Sequence, residues 1–362
     1  MNTRWSGLEQ KMKEVGIQTL LITDPKHVYY LTGFLSNPHE RFLAAVLQLG
    51  SEPLLIVPAL DEEAARAASD LQDIITHQDT DNPYLILKNH MNGSLGTIGL
   101  EKEYVSISRY EQLKDALSFD SYVVDIGPWL RDLRVCKSPE EINKIRHAVH
   151  LIEQVLEEAL LSVKEGISEN ELVAEVEYQI RKLGADGPSF DSMVLSGEKT
   201  ALPHGVPGTR QLCRGDLLMF DIGVYASGYA SDITRTFAFG ELSEEKRTIY
   251  ETVLAANEAA IAAIKPGVTY GSIDKAARDV IDEAGYGEYF IHRLGHGLGI
   301  DVHEFPSIHG NNDYLLTEGN VFTVEPGIYV PGVGGVRIED DVLVTHDGVD
   351  VLTSFPKKLT YL

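Results

Sequence analysis

The chain has few cysteines, a shortage of positive charge and no long apolar run. Its 362 residues include only two cysteines, Cys136 and Cys213, which excludes a disulfide framework and a thiolate metal site. It has 31 lysines and arginines against 55 acidic residues, a formal net charge of -24. This argues against nucleic acid or an anionic membrane as partner. No segment approaches the ~20 apolar residues of a membrane-spanning helix, and no secretory signal is evident, so we expect a cytoplasmic protein.

The two parts of the chain differ in their secondary-structure pattern. In residues 1–130, strand-like segments alternate with helical ones, which predicts an α/β domain with a mixed sheet flanked by helices. Residues 131–362 begin with two helices, opened by capping-box sequences at Ser138 and Ser168, and a second helix pair follows from Ser243. Strands follow each helix pair, so this α+β domain is predicted to contain an internal duplication, with a site held between its halves.

The stretch Phe290–Glu304 concentrates histidines and glycines. Glycine at every second position removes side chains from one side of an extended segment, so its backbone can press against a neighbouring cluster. The imidazoles would then point into that cluster, although a glycine loop with solvated histidines would have the same composition. The histidines are His292, His296 and His303, and the glycines are Gly295, Gly297 and Gly299.

A β-hairpin is predicted upstream, over Leu217–Phe239. Two arms rich in β-branched and aromatic residues flank the small residues of Ala226–Tyr229. The midpoint between Asp221 and Asp232 falls inside this turn, so the two aspartates are predicted to face each other with Cβ atoms about 5 Å apart. Because like charges in that position repel, the pair requires a cation between them.

The same arrangement recurs downstream, over Val321–Glu339. Here two strand-like arms flank the turn sequence Pro331–Gly335. The midpoint between Glu325 and Glu339 is Gly332, which again lies in the turn. A second facing pair of carboxylates is therefore predicted. Unrelated surface acids would not be expected to occur as facing pairs in two hairpins, so this placement argues for a common site.

These carboxylates and one imidazole form a candidate metal site. Four negative charges balance two divalent cations, and oxygen-rich ligation with one histidine suits manganese, cobalt or zinc, of which we expect manganese. Two ions roughly 3.5–4 Å apart can hold a bridging water, lower its pKa and stabilise a tetrahedral intermediate. The predicted ligands are Asp221, Asp232, His296, Glu325 and Glu339.

The order of these ligands resembles that of the pita-bread metallopeptidases, which include methionine aminopeptidase, Xaa-Pro aminopeptidase and prolidase. The resemblance also rests on His204 in Leu-Pro-His-Gly and His303 in Val-His-Glu, and it covers nearly the whole chain. It implies a creatinase/prolidase-type α/β N-terminal domain over residues 1–130. It further implies a catalytic domain of pita-bread fold, with a pseudo-twofold repeat, over residues 131–362.

The resemblance also implies roles for residues around the metals. His204 and His303 would donate hydrogen bonds to the scissile carbonyl and the developing oxyanion, and Glu325 would act as general base. His292 and Arg337 are expected at the substrate-binding site, where they orient the metal ligands. A purely structural pair between Arg337 and a carboxylate is the alternative.

Two residues bear on substrate choice. A dipeptidase must recognise the free carboxylate of its substrate, and the Arg293 guanidinium is a natural bidentate partner for it. Many prolidases carry arginine at the position of Ser307, but the stretch around Arg293 resembles a bacterial branch of prolidases with this same exchange. We therefore expect a prolidase whose substrates are Xaa-Pro dipeptides, small peptides with proline at the second position.

Two alternatives remain beside this activity. One is an Xaa-Pro aminopeptidase that acts on longer peptides, and the other, of a different class, is an inactive pita-bread module used for binding. The complete ligand set and the absence of basic tails argue against the inactive module. The resemblance also implies a homodimer, in which the polar loop around His39 closes a neighbouring site and contributes to substrate binding.

Overall fold

The computed structural model describes residues 3–91, 93–119 and 122–362. The chain forms two compact units, Met1–Leu133 and Arg134–Leu362. The domain ranges predicted from the sequence, 1–130 and 131–362, divide the chain slightly earlier.

The first unit is built on one mixed sheet of six strands, as the alternating pattern predicts. The strands are β1 (Thr19–Ile22), β2 (Ala44–Gln48), β3 (Leu54–Pro58), β4 (Asp73–His77), β5 (Ile98–Leu100) and β6 (Val123–Asp125). The helices are α1 (Thr3–Val15), α2 (Pro25–Thr32), α3 (Glu62–Ala68), α4 (Pro83–His90) and α5 (Ile107–Leu117), and α6 (Gly127–Val135) contains the division between the units. The sheet order is β4-β3-β2-β1-β5-β6, and all four residues of β1 are buried, as expected of a central strand.

A buried histidine and an acid join two elements of this unit. Glu101 directly follows β5, and its Oε2 accepts hydrogen bonds from the backbone N–H groups of Thr23 (2.6 Å) and Asp24 (3.0 Å). Its Oε1 bonds to Nδ1 of His27 in α2. Because the protein itself supplies these partners, the cluster ties the end of β5 to the start of α2, and we assign it a structural role.

The second unit contains four further α-helices and thirteen strands among the residues that the structure describes. The helices are α7 (Pro139–Leu160), α8 (Glu169–Lys182), α9 (Glu244–Ala263) and α10 (Tyr270–Glu283). The strands of the first half are β7 (Gly187–Pro188), β8 (Met193–Ser196), β9 (Asp216–Ile222), β10 (Val224–Ala226), β11 (Tyr229–Ala230) and β12 (Ile233–Phe239). Those of the second half are β13 (Gly295–Gly297), β14 (Glu304–Ile308), β15 (Val321–Val324), β16 (Gly327–Val330), β17 (Gly334–Arg337), β18 (Asp340–Val344) and β19 (Val349–Val351).

The two halves repeat one order of elements, which confirms the predicted duplication. In each half a helix pair precedes the strands, and it packs on them through its apolar face. Ile152 of α7 shares a buried cluster with Phe220 of β9, whereas Val253 of α9 shares another with Phe322 of β15. Both phenylalanines lie in the strand that leads into a carboxylate pair, so each helix pair supports one side of the site.

The helix starts predicted from capping sequences are confirmed. At the start of α7, the Ser138 hydroxyl accepts the backbone N–H of Glu141 (3.3 Å), and the Glu141 carboxylate accepts the N–H of Ser138 (2.8 Å). Ser168 and Glu171 make the same reciprocal pair at α8. These bonds satisfy N–H groups that have no partner within the helix, and so they fix where each helix begins.

The register of the first hairpin corrects one prediction. Asp221 of β9 pairs with Thr234, not with Asp232, so the two aspartates are diagonal neighbours on the hairpin. The predicted turn position is the cause of the error. Ser227 and Gly228, both with positive φ (51° and 76°), form the two-residue turn, while Ala226 still belongs to β10. This turn lies one residue further along the chain than the midpoint assumed.

The second hairpin has the predicted register. Val324 pairs with Asp340 on one side of Glu325, and Gly327 pairs with Arg337 on the other. These pairs share one register, so Glu325 and Glu339 occupy opposed positions where the ladder is interrupted. The interruption frees both glutamates from the regular sheet.

In the part of the chain that the structure describes, no helix is both long and apolar enough to cross a membrane.

Candidate metal centre

Five predicted metal ligands converge within the second unit. Oxygen and nitrogen atoms of these side chains form two groups that share Glu339, and within each group the atoms lie within 4.8 Å of one another. Asp232, His296 and Glu339 are nearly fully buried, with exposed fractions of 4%, 2% and 2%. The structure thus brings together Asp221, Asp232, His296, Glu325 and Glu339. Their role as ligands stays a prediction.

His296 presents the nitrogen that a cation would need. Its Nδ1 lies 3.2 Å from the carbonyl oxygen of Gly297, and a hydrogen bond donated there fixes the tautomer in which Nε2 carries no proton. That Nε2 faces Glu325 Oε1 at 3.3 Å and Asp232 Oδ2 at 3.7 Å. Lone pairs of three acceptors therefore meet at one point, a geometry that a cation satisfies.

Two carboxylate oxygens at this point have no hydrogen-bond partner within residues 3–91, 93–119 and 122–362. Asp232 Oδ1 and Glu339 Oε1 are both buried and unpaired, although a buried charged oxygen without a partner is costly. Burial and the neighbouring carboxylates raise the pKa of Asp232 and of Glu339 well above the usual range. These side chains therefore fit divalent cations, which would supply the missing partners and hold both groups ionised.

Glu325 differs from these two acids. Burial raises the pKa of this carboxyl, but positive charge nearby, including that of Arg337, outweighs burial and lowers the pKa below its ordinary value. The Thr323 hydroxyl donates a further hydrogen bond to Glu325 Oε1 at 3.3 Å. An ionised carboxylate is what a proton acceptor requires, so the geometry suits the predicted role of Glu325 as general base.

Arg337 organises two of the carboxylates, which accords with both views of its role. Its guanidinium pairs with Asp221 and also donates from Nε to the Thr234 hydroxyl (3.1 Å). That hydroxyl donates in turn to Glu339 Oε2 (2.7 Å). Arg337 is therefore a structural partner of Asp221 and, through Thr234, a positioning residue for Glu339.

His292 belongs to the same hydrogen-bond chain. Its Nδ1 donates to the backbone oxygen of Arg293 (2.7 Å), and its Nε2 accepts from the Tyr329 hydroxyl (2.9 Å). The oxygen of Tyr329 accepts in turn from Arg337 (2.8 Å). Burial lowers the pKa of His292 and so keeps the ring neutral. A neutral ring is what the hydrogen bond from Tyr329 to Nε2 requires. The sequence did not predict the roles of Thr234 and Tyr329. The observed strand register places the Thr234 hydroxyl against Glu339 and the Tyr329 hydroxyl between His292 and Arg337.

The two predicted catalytic histidines lie on the same cleft. The ring of His303 contacts that of His296, with centroids 3.9 Å apart. Burial and the neighbouring imidazole and guanidinium groups lower the pKa of His303 to about 4, so its ring is neutral at pH 7. His204 also lines the cleft, where its side chain is exposed. Both can reach a bound molecule.

The cleft above the five side chains is large enough for a short peptide. Its volume is about 750 Å³, within the range of roughly 300–1,000 Å³ for small-molecule sites. Arg293 lines it and donates to the hydroxyl of Ser307 at 3.1 Å. In the described part of the chain, Arg293 has no carboxylate partner, so its guanidinium is free to bind an anionic group.

His39 stands apart from this set. It lies in an exposed loop of the first unit, with a φ of 54°, and it is not among the residues that line the cleft. Its predicted contribution to substrate binding stays a prediction.

A buried ionic cluster holds the loop that carries His303. Glu304 accepts from Lys137 Nζ at 2.6 Å and also pairs with Arg134, whose guanidinium reaches Asp301 at 2.6 Å. The side chains of Glu304 and Lys137 are only 7% and 1% exposed. Although burial raises the pKa of Glu304, its two cationic partners lower it overall, so the carboxylate is ionised at neutral pH.

Glu304→Gln is expected to lower the free energy of unfolding by about 3–5 kcal/mol, because it leaves the buried Lys137 without its anion, whereas Arg134 keeps Asp301. Since the pKa of Glu304 is depressed in the folded state, this stabilisation exists above the unfolded pKa and is lost as the pH falls through the folded value. Chemical unfolding of the metal-loaded protein at pH 7 measures the change. Glu103→Gln is the matched control, because its exposed pair with Arg131 (3.3 Å) should contribute less than about 1 kcal/mol. Equal effects of the two substitutions would contradict the assignment.

Comparison with known proteins identifies the family. The model of metallopeptidase family M24 matches residues 143–346, and the model of the creatinase/prolidase N-terminal domain matches residues 4–136. The chain belongs to metallopeptidase family M24. It is a metallopeptidase, and membership implies divalent metal ions at its active site.

Individual relatives extend over both units. The chain is 46% identical over 97% of its length to a Bacillus subtilis (strain 168) protein named "Putative dipeptidase YkvY", of which it covers 97%. The prolidase from Pyrococcus horikoshii OT3 matches with a TM-score of 0.92 and 35% identity, over 99% of this chain and 100% of that one. The X-Pro aminopeptidase from Thermotoga maritima MSB8 matches with a TM-score of 0.90 and 35% identity, over 98% and 100%. The predicted fold is thereby confirmed.

Proposed function

We propose that this metallopeptidase is a prolidase, which hydrolyses the Xaa-Pro bond of dipeptides with the help of two divalent cations, manganese being the expected metal. The observation that carries the proposal is the free guanidinium of Arg293 on the same cleft as the four carboxylates and His296. A dipeptide places its terminal carboxylate one residue beyond the scissile bond. The cleft offers a partner for each: the candidate metal site for the scissile bond and Arg293 for the carboxylate. Similarity to the Pyrococcus prolidase and to the Bacillus relative supports this reading.

The residues of the chain can be assigned steps of this reaction. Bound to Asp221, Asp232, His296, Glu325 and Glu339, two divalent cations would supply a water of lowered pKa and polarise the scissile carbonyl. Glu325, ionised in this site, accepts the proton of the attacking water. A neutral His303 donates a hydrogen bond to the oxyanion as it forms, and His204 does so from the exposed side of the cleft. Arg337 keeps Asp221 and Glu339 in place throughout.

The product side of the cleft belongs to Arg293 in this proposal. Its guanidinium forms a charge-assisted hydrogen bond with the carboxylate of proline, and Ser307 holds it in position through the hydroxyl contact at 3.1 Å. A tripeptide would present a neutral amide there instead. The side chain thus distinguishes a dipeptide from a longer peptide.

An Xaa-Pro aminopeptidase is the second candidate, favoured by the similarity to the Thermotoga enzyme. One assay separates the two: metal-loaded protein is given Ala-Pro and a proline-containing tripeptide at equal concentrations. A prolidase prefers Ala-Pro, whereas preference for the tripeptide would establish the aminopeptidase. Turnover of neither substrate, with metals present, would favour the inactive binding module.

We also propose that the protein is a homodimer in which the loop around His39 helps to close a neighbouring site. The proposal rests on the family resemblance and on the exposed, polar character of this loop. Light scattering at assay concentrations is expected to give twice the chain mass of 40.0 kDa. A fully active species of the single-chain mass would rule the dimer out.

A further inference from the structure

One wall of the cleft contains an irregularity that the reaction described above does not use. Pro188 pairs with Val224, and Met193 pairs with Asp221. Residues 189–192 therefore stand opposite only the two residues 222 and 223 and form a bulge. Bulges re-aim side chains and occur often beside active sites. Ser189 anchors this bulge, since its hydroxyl donates to the backbone oxygen of Ser231 at 3.0 Å.

The bulge presents two unpaired polar groups. Asp191 lines the cleft with an exposed carboxylate, which has no hydrogen-bond or ion-pair partner in the described part of the chain. Ser192 also lines the cleft and is only 5% exposed, and no described residue makes a hydrogen bond to its hydroxyl. A buried hydroxyl without a partner is uncommon. Both groups accept hydrogen bonds, so a donor in the cleft would satisfy them.

The charges that line the cleft narrow the choice of donor. The four clustered carboxylates are balanced by the expected cations, and Arg337 already pairs with Asp221. Asp191 and Arg293 remain, one negative and one positive, and neither has an ionic partner in the described residues. A free dipeptide is a zwitterion whose charged ends are two residues apart, about 7 Å when extended. The two remaining charges complement its two ends.

We propose that the bulge over residues 189–192 binds the free α-ammonium group of the substrate, with Asp191 and Ser192 as the acceptors. This inference rests on the proposed function and adds recognition of the second end of the dipeptide. The ammonium offers three N–H donors, so it can bond to the carboxylate and the hydroxyl together. Every Xaa-Pro dipeptide carries this group, whatever its first side chain. Asp191 is therefore a specificity residue for a free amino terminus.

The test compares a substrate that has the ammonium with an analogue that lacks it. Propionyl-proline is Ala-Pro without its amino group, and it can be measured as a competitive inhibitor even if it is not hydrolysed. Asp191→Asn is expected to lower kcat/KM for Ala-Pro about tenfold to a hundredfold, the value of a hydrogen bond to a charged group. The inhibition constant of propionyl-proline should not change. Ser192→Ala should show the same pattern with a loss of about twofold to tenfold.

Two controls make the result unambiguous. Asp313→Asn removes the same charge from an exposed position outside the cleft and should leave both measurements unchanged. Lys-Pro tests whether Asp191 instead binds a cationic first side chain. Equal losses for Ala-Pro and propionyl-proline, or a loss confined to Lys-Pro, would overturn the inference. So would an Asp191→Asn protein that cleaves Ala-Pro as well as the unaltered protein does. Failure of the unaltered protein to cleave Ala-Pro would refute the proposed function instead.

Discussion

Exhaustive chelation is expected to abolish hydrolysis of Ala-Pro, and addition of manganese, cobalt or zinc to restore it. The reason is electrostatic: four carboxylates cluster around His296, and two of their buried oxygens have no hydrogen-bond partner among the described residues. His296 points an unprotonated nitrogen at the same cluster. The cations are expected to lower the pKa of the attacking water and to polarise the scissile carbonyl, so their removal should stop the reaction. Activity and metal content should be measured on the same sample, the latter by elemental analysis.

Asp232→Asn sharpens this experiment. It removes one predicted ligand while keeping the size of the side chain. We expect kcat to fall by more than about a hundredfold, because mutating even the residues that hydrogen-bond to metal ligands typically lowers activity or metal affinity 10–100-fold. The loss should be accompanied by a lower metal content per chain, with the fold retained. Asp313→Asn is again the matched control. Full activity in a sample verified to be metal-free would refute metal dependence.

Arg293→Ala is expected to remove the preference for dipeptides. A charge-assisted hydrogen bond to the proline carboxylate contributes roughly 1.5–3 kcal/mol, so KM for Ala-Pro should rise about tenfold to a hundredfold. Cleavage of a tripeptide, which has no carboxylate at that position, should change far less. Steady-state kinetics with the two substrates, on metal-loaded protein, gives the comparison.

Two further variants separate recognition from support of the scaffold. Arg293→Lys keeps the charge but loses the planar fork, so it should recover only part of the affinity for Ala-Pro. Arg214→Ala removes an exposed arginine outside the cleft and should change neither substrate. If Arg293→Ala impaired both substrates equally, the arginine would be a scaffold residue. A preference of the unaltered protein for the tripeptide would leave the aminopeptidase in place of the prolidase.

Local sequence patterns predicted much of this fold because local physics determines them. Capping boxes at Ser138 and Ser168 satisfy backbone groups within one turn, so each is readable from four residues. The register of the second hairpin followed from a symmetric turn. The first hairpin failed because Ala226 and Ser227 are both small, and the sequence did not reveal which residue adopts positive φ.

Contacts between segments that are distant along the chain could not be predicted from the sequence. Thr234 and Tyr329 contact the site because strand pairing and the meeting of the two halves place their hydroxyls there. The bulge at Asp191 arises because β7 and β8 pair with the neighbouring strands in different registers, and the periodicity of the sequence does not predict this difference. The sequence predicted which five side chains would meet at one place, and their roles in the reaction stay predictions. The structure adds which neighbours hold them in place.

The glycines around His296 limit how this centre could be altered. A methyl group built on Gly295 would lie 2.0 Å from the backbone oxygen of Thr323, and one on Gly297 would lie 2.4 Å from that of Phe305. Both clashes are with main chain, which cannot rotate aside, so no larger residue fits at either position. Close packing therefore fixes the backbone on both sides of His296. If His296 is a metal ligand as predicted, variation at this centre is confined to its oxygen donors, because the glycine positions beside the imidazole accept no larger side chain.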